Sequence, residues 1–160
     1  MEIFEYRRSD VLEYAEKWAF KRNHRYFDFE NIGGDCTSFV SQCIYAGCGV
    51  MNYTRDTGWY YNSAGDRAAA WSSVQYLYKF LTTNKGAGPF ASVVGRSEIE
   101  AGDVVQLGND TDGFHHSLIV VKATDQQIFV ASHSFDTFMR PLDSYTGEHP
   151  RFLHIEGCRK

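Results

Sequence analysis

Cysteine is scarce in this sequence, and its thiols show none of the spacings that build a structural site. There are four cysteines in 160 residues, too few for a disulfide-stabilised scaffold. They form no C-x-x-C pair, and no histidine stands beside them at ligand spacing, so a structural zinc site is not expected. Since no structural role accounts for these thiols, one of them becomes a candidate for catalysis.

Long apolar runs and basic stretches are also missing. No segment approaches the ~20 apolar residues of a membrane span, and the N-terminus MEIFEYRRSD lacks the basic and then apolar pattern of a signal sequence. The net charge is −4, and basic residues form no run longer than a pair, such as Arg7–Arg8 and Lys21–Arg22, so a nucleic-acid partner is not expected. The chain as given is therefore expected in the cytoplasm, or at the cell wall or outside the cell if a leader was removed.

The rest of the composition is that of one globular domain covering residues 1–160. Hydrophobic residues make up 43% and charged residues 22% of the chain, close to the average for globular proteins. Aromatic residues are abundant at 16%, with 12 Phe, 10 Tyr and 3 Trp. Aromatic side chains fill cores and also line binding clefts, so this excess can serve both purposes.

Hydrophobic periodicity predicts helices in the first half of the chain and strands in the second. The first helix is expected to begin at Ser9 or Asp10. The predicted helices cover residues 10–23, 35–46 and 68–81, with a long loop at 51–67. The predicted strands cover residues 103–107, 117–123, 128–133 and 152–155. This order predicts an α+β fold with N-terminal helices packed on an antiparallel β-sheet.

Cys36 has the most reactive setting of the four cysteines. It directly follows Gly33–Asp35 and lies in the first turn of the second predicted helix. The free N–H groups and the dipole at a helix N-terminus favour a thiolate and lower the thiol pKa. The Cys36 N–H can also donate to an oxyanion. The other three cysteines lack this setting and are interpreted as small buried side chains.

A cysteine nucleophile needs a base, and His116 is the best placed of the six histidines. It opens the predicted strand of residues 117–123, and His133 ends the next strand. If Thr124–Asp125 is a two-residue turn, the two histidines stand opposite each other on one face. A four-residue loop leaves them diagonal neighbours on that same face.

The face shared by the two histidines is expected to lie against the helices. A helix packed there would bring Cys36 to His116, with His133 placed to orient the imidazole ring. Spacing alone leaves open the alternative that both histidines are ordinary polar strand ends. The apolar residues expected on this face are Leu118, Val120, Phe129 and Ala131.

A zinc site is the competing use of the same residues. Its ligands would be His115, His116, His133 and Asp136. Adjacent histidines point to opposite faces of a strand, so only one of the first two can easily bind a metal. Catalysis is therefore preferred, and no metal or other cofactor is expected.

Six blocks of the sequence, taken in their order along the chain, resemble a known protein family. They are GGDCTSFVSQCIYAG, GWYY, AAAWSSVQYLYKFL, AGDVVQL, HHSLIVV and IFVASHSFD, and the resemblance runs over about residues 14–155. Together they closely resemble the bacterial putative amidase domain family, which belongs with the papain-like cysteine peptidases of the NlpC and CHAP type. The resemblance implies a papain-like fold and thiol-dependent hydrolysis of amide bonds in peptidoglycan peptides, through an acyl-thioester.

The resemblance also implies the residues of the site. A nucleophile, a base and a third polar residue occur in that chain order, and here they fall on Cys36, His116 and His133. The third position is more often Glu or Asn in CHAP-like relatives, so Asp136 or Ser132 is the alternative third residue.

The substrate cleft is expected near the nucleophile. Asp35 is interpreted as an N-cap carboxylate that also tempers the thiolate, and Trp59, Tyr60 and Tyr61 are candidate cleft walls. The alternative for this aromatic cluster is packing of a long loop onto the domain. Two other functions stay open: acyl transfer to an amine or lipid by the same Cys–His pair, and binding of a cell-wall or protein ligand without turnover.

Overall fold

The computed structural model describes all residues from 1 to 160 and combines four α-helices with nine β-strands. The helices are α1 (Arg8–Trp18), α2 (Cys36–Cys48), α3 (Ala69–Ser72) and α4 (Val74–Thr83). The strands are β1 (Ile3–Phe4), β2 (Tyr61–Ser63), β3 (Asp66–Arg67), β4 (Gly88–Val94), β5 (Val104–Asn109), β6 (Gly113–Ala123), β7 (Ile128–Ser132), β8 (Thr137–Pro141) and β9 (His149–Arg159). None of the helices is both long enough and apolar enough to cross a membrane.

Seven of the strands form one antiparallel sheet in the order β1-β9-β5-β6-β7-β8, with β4 also paired to β9. Strand β9 joins the sheet together because it pairs with β1, β4 and β5. Strands β2 and β3 form a separate hairpin. The four helices precede all of the sheet except the short β1. The α+β class predicted from the sequence, with helices and an antiparallel sheet, is therefore confirmed.

Helix α1 differs from its prediction at both ends. Its N-cap is Arg7, and Asp10 instead forms an ion pair with the Nε atom of Arg7 at 2.8 Å. The helix ends at Trp18 rather than near residue 23. The carbonyl oxygen of Trp18 accepts a hydrogen bond from His133 Nε2 at 2.8 Å. This partner is distant in sequence, so hydrophobic periodicity alone cannot locate the helix end.

The third predicted helix is two helices in the structure. Ser73 has extended backbone angles, with φ −116° and ψ 129°, and it separates α3 from α4. Serine weakens a helix interior because its hydroxyl competes for backbone hydrogen bonds, and two serines stand together here. Trp71, just before the break, lies with its ring centroid 4.9 Å from that of Trp59, and both indoles are fully buried.

The sheet has a hydrophobic cluster on each face, and this arrangement corrects one expectation. The larger cluster joins the sheet to the helices and contains Ala131, with Phe129 packed against it. Leu118 and Val120 belong to the smaller cluster, whereas their neighbour Ile119 belongs to the larger one. Because neighbouring strand residues alternate between faces, Leu118 and Val120 point away from the helices. The expectation that the helices pack on the sheet face of Leu118 and Val120 is therefore wrong.

A β-bulge is the physical reason for this correction. Near the turn, Ala123 pairs with Ile128, as a four-residue loop requires. The register of β6 against β7 then shifts by one residue at Val121. A one-residue shift exchanges the faces of all residues beyond it. His116 and His133 therefore lie on opposite faces of the sheet, and the expected pairing on one face is wrong.

Gly47 allows α1 and α2 to approach each other closely, and we expect Gly47→Ala to destabilise the protein. A Cβ atom at position 47 would lie 2.5 Å from Val11 Cγ2 and 3.0 Å from the backbone oxygen of Arg7. The helices would have to separate, at a cost of about 1–3 kcal/mol of unfolding free energy. Urea denaturation measures this loss.

Gly95→Ala is the matched control for this substitution. A Cβ atom at Gly95 meets nothing within 4 Å, and its φ of −80° suits any residue. Its unfolding free energy is expected to stay within about 0.5 kcal/mol of the native value. Equal midpoints for the two variants would contradict the close helix approach.

Candidate active site

An open cavity of about 410 Å³ brings the two main candidate residues, Cys36 and His116, to one place. Cys36 reaches it from the first turn of α2, and His116 reaches it from β6. The cavity is lined by Gly33, Cys36, Leu107, His115, His116, Ser134, Phe135, Arg140, Tyr145 and Glu148.

The environment of Cys36 favours a neutral thiol. The residue is 7% exposed, and burial raises the pKa of its thiol. Hydrogen bonds from the backbone N–H of Ser117 and from Thr37 act in the opposite direction but are outweighed. The direction of the pKa shift is therefore opposite to the one expected from the helix N-terminus alone. The Ser117 contact brings the thiol next to the chain neighbour of His116.

The hydrogen bonds around His116 assign its ring protons. Its Nε2 lies 3.1 Å from the hydroxyl oxygen of Ser132, and that hydroxyl donates to the carbonyl oxygen of His133 at 2.5 Å. A hydroxyl has a single hydrogen, so Ser132 can only accept a hydrogen bond from His116. The Nε2 atom then carries the proton, and Nδ1 keeps a free lone pair. Ser132, predicted from the sequence only as an alternative third residue, is the residue that orients this imidazole.

Burial also keeps His116 neutral. It lowers the pKa of the ring to about 4, and the neighbouring His115 adds to this shift. At neutral pH the cavity therefore contains an uncharged thiol and an uncharged imidazole with a free nitrogen. Such a pair can act together, since the imidazole can take the thiol proton as the sulfur attacks.

His133 lies outside the cavity, in contrast to the role expected for it. It is 1% exposed, and its ring stacks on Phe39 with centroids 3.9 Å apart. Its Nδ1 lies 2.6 Å from Asp35 Oδ2 and its Nε2 lies 2.8 Å from the Trp18 carbonyl oxygen. Both partners are acceptors, so both ring nitrogens donate. His133 thus ties β7 to the start of α2 and the end of α1, and it does not contact His116 by a hydrogen bond.

The two aspartates named from the sequence also lie away from the cavity. Asp35 is 1% exposed and accepts the backbone N–H of Phe29 at 2.9 Å, in addition to its contact with His133. It occupies the N-cap position of α2 without a side-chain capping bond. Asp136 forms an ion pair with Arg22 at 2.8 Å. Neither carboxylate is among the cavity residues, so the expectation of Asp35 in the cleft is not met.

The aromatic cluster expected as a cleft wall is mostly part of the core. Trp59 is fully buried, and its Nε1 donates to Ser41 Oγ at 3.0 Å. The hydroxyl of Tyr61 accepts the backbone N–H of Phe27 at 2.8 Å. Tyr60 contacts Tyr53 with ring centroids 5.1 Å apart. None of the three lines the Cys36 cavity, and the alternative interpretation, loop packing, describes Trp59 and Tyr61.

Several cavity residues are not among the catalytic or cleft residues predicted from the sequence. Arg140 lies over the Tyr145 ring at 3.7 Å, and His115 Nε2 lies 3.0 Å from Glu148. Phe135 is exposed at the rim. These residues come from β6, β8 and the chain on either side of β8, which only the folded sheet brings to the nucleophile. No group of three or more His, Cys, Asp or Glu side chains is arranged to hold a metal ion.

Comparison with known proteins identifies a relative of this chain and the family to which it belongs. Over 141 residues the chain is 31% identical to the uncharacterized protein YhbB of Bacillus subtilis (strain 168), which aligns with 86% of this chain. The chain covers 44% of that relative's length. No solved structure matches the chain. The family model described as "Putative amidase domain" matches residues 5–155. The chain therefore belongs to the putative amidase domain family, a description that indicates hydrolysis of amide bonds.

Proposed function

We propose that this chain is a cysteine amidase, a single papain-like domain in which Cys36 is the nucleophile and His116 is the general base. The observation that carries the proposal is the shared cavity of the two residues, with Nδ1 of His116 left free by the bond from Nε2 to Ser132. His115 also borders the cavity, with its Nε2 bonded to Glu148, but its side chain is 40% exposed. His116 is the less exposed of the two histidines and directly precedes Ser117, whose backbone N–H contacts the thiol, so it is the proposed base.

The proposed reaction begins with the neutral pair. The sulfur of Cys36 bonds to the substrate carbonyl carbon while the thiol proton moves to Nδ1 of His116. The negative charge that develops on the carbonyl oxygen is stabilised by free N–H groups in the first turn of α2. His116 then gives the proton to the leaving amine, and the C–N bond breaks to leave an acyl-thioester. Water hydrolyses this thioester with the same imidazole as base.

Ser132 has a defined part in this proposal. It holds the Nε2–H of His116 and so keeps the free lone pair of the neutral ring on Nδ1. When the ring becomes an imidazolium, Ser132 continues to accept from Nε2 while Nδ1 carries the thiol proton. The Ser132 hydroxyl thereby takes the orienting role that the sequence had suggested for His133.

A short peptide of peptidoglycan is the proposed substrate, a choice supported by the resemblance of the sequence blocks. The test is incubation of the protein with purified peptidoglycan fragments, followed by mass spectrometry of the products. Hydrolysis yields two products whose summed mass exceeds that of the substrate by one water. A product in which the acyl group has joined an added amine would indicate an acyltransferase instead. Unchanged fragments would contradict the peptidoglycan assignment.

The pH dependence of kcat/KM is expected to follow the base. His116 accepts a proton only when neutral, so the rate should rise with pH through about 4 and reach a plateau well below neutrality. The plateau should extend beyond the usual thiol range, since the raised pKa of Cys36 keeps it protonated. Steady-state rates on a cleaved fragment measure this profile, with circular dichroism at each pH to verify folding. An acid limb near ~6.5 would contradict the buried base.

A further inference from the structure

Phe135 is an exposed aromatic residue at the rim of the cavity. It lies in the turn between β7 and β8, it is 90% exposed, and it borders the same cavity as Cys36 and His116. Exposure alone would not distinguish it, because isolated apolar side chains are common on protein surfaces. Phe135 is distinguished by its position beside the nucleophile and by its backbone conformation.

The backbone at this turn is held in a conformation that suits neither of its residues. Ser134 and Phe135 have φ angles of 62° and 67°. Two successive positive φ angles belong to a type of hairpin turn that favours Asn and Gly. A bulky residue in this region is an outlier and needs its surroundings to keep it there.

The neighbours of Phe135 supply that support. His133 is bonded to the body of the protein on both ring nitrogens. Ser134 Oγ donates to Glu30 Oε2 at 2.8 Å, and Asp136 is paired with Arg22. Three of the four residues in this segment are therefore anchored. The backbone of Phe135 is thereby held in place, and its side chain extends into solvent beside the cavity.

We propose that Phe135 is a substrate-binding residue that contacts an apolar group next to the scissile amide. This inference rests on the proposed function, because it takes the Cys36 cavity as the site of acyl transfer. Leu107 and Tyr145 border the same cavity and extend its apolar surface. A backbone that is held in place limits the positions the ring can take, so contact with an apolar group costs less conformational entropy than on a mobile loop.

The test compares two reagents that alkylate Cys36 by the same chemistry. Chloroacetamide and N-benzyl-2-chloroacetamide both form a thioether as chloride leaves and the thiol proton passes to solvent. We expect the benzyl reagent to react about tenfold faster at Cys36 in the native protein, since its ring can contact Phe135. Phe135→Ala should remove this preference and Phe135→Tyr should keep it. Peptide mass spectrometry locates the modification.

Equal rates for the two reagents in the native protein, or an equal preference in Phe135→Ala, would overturn the proposal. So would a lack of reaction at Cys36 with either reagent, since the ring would then not border an accessible thiol. These rates do not depend on amide turnover. A benzyl preference without any amide hydrolysis would therefore contradict the proposed function and leave only the contact of Phe135 with an apolar group in the cavity.

The strained turn gives a second measurement. Phe135→Gly should raise Tm by about 2–4 °C, since glycine adopts the positive φ freely, while the benzyl preference is lost. Asp56→Gly is the matched control, because Asp56 has the same φ of 67° and does not line the Cys36 cavity. It should keep the preference. A lower Tm for Phe135→Gly would contradict the strain, and an unaltered preference would contradict the binding role.

Discussion

Cys36→Ser is expected to lower kcat/KM for amide hydrolysis by at least about 10³-fold. A serine hydroxyl is a much weaker acid than a thiol, and His116, whose pKa is lowered to about 4, is a weak base for activating it. Cys36→Ala removes the nucleophile entirely and should lose as much. Both variants should still fold, because the thiol of Cys36 has only a long contact, 3.8 Å, with Thr37 Oγ1 in addition to its backbone partners.

Cys43→Ala is the matched control for this prediction. Cys43 lies two turns further along α2, is fully buried, and does not line the cavity. Its replacement should lower stability slightly and leave kcat/KM close to the native value. Rates are measured by mass spectrometry on a fragment that the native protein cleaves. Retention of native hydrolysis by Cys36→Ala would show that the nucleophile lies elsewhere.

His133→Ala is expected to lower the free energy of unfolding by about 3–5 kcal/mol. The substitution removes the closest partner of a fully buried carboxylate, since Asp35 Oδ2 lies 2.6 Å from His133 Nδ1 and 3.8 Å from Arg22 Nε. It also leaves the Trp18 carbonyl without this donor and the Phe39 ring without its stacking partner. Urea denaturation followed by circular dichroism measures the loss.

His154→Ala is a control with a similar pair in a more open setting. His154 Nδ1 lies 2.8 Å from Asp103 Oδ2, but the histidine side chain is 22% exposed. Asp103 also keeps its ion pair with Arg8 at 2.8 Å. The expected loss is therefore about 1 kcal/mol or less. If His133→Ala were equally mild and instead lowered kcat, His133 would have the catalytic role that the sequence suggested and not the structural one.

Local patterns in the sequence predict much of the framework. The periodicity of apolar residues predicts the order of helices before strands, and the α+β class follows from that order. The Gly33–Asp35 segment before Cys36 predicts that this thiol begins a helix, as the structure has it. These features depend on residues that are close in sequence, which is why they are visible without a structure.

The third residue of the proposed site shows where such patterns fail. Strand alternation assigned His116 and His133 to the same face, and a single extra residue at Val121 reversed that assignment. A bulge leaves no mark in a run of apolar residues such as SLIVVKA, because either register buries part of the run. The choice of Ser132 as the partner of His116 therefore depends on the pairing of whole strands.

The same distinction between local sequence and tertiary structure applies to the cysteines and the aromatic residues. The sequence by itself determined which thiol stands at a helix N-terminus, because that depends on a few neighbouring residues. Only the tertiary structure decided that this thiol is neutral, that Trp59 belongs to the core, and that Phe135 borders the cavity. Burial is a property of the assembled fold. It shifts the pKa of an ionisable group, and it decides whether an aromatic ring lies in the core or at the surface.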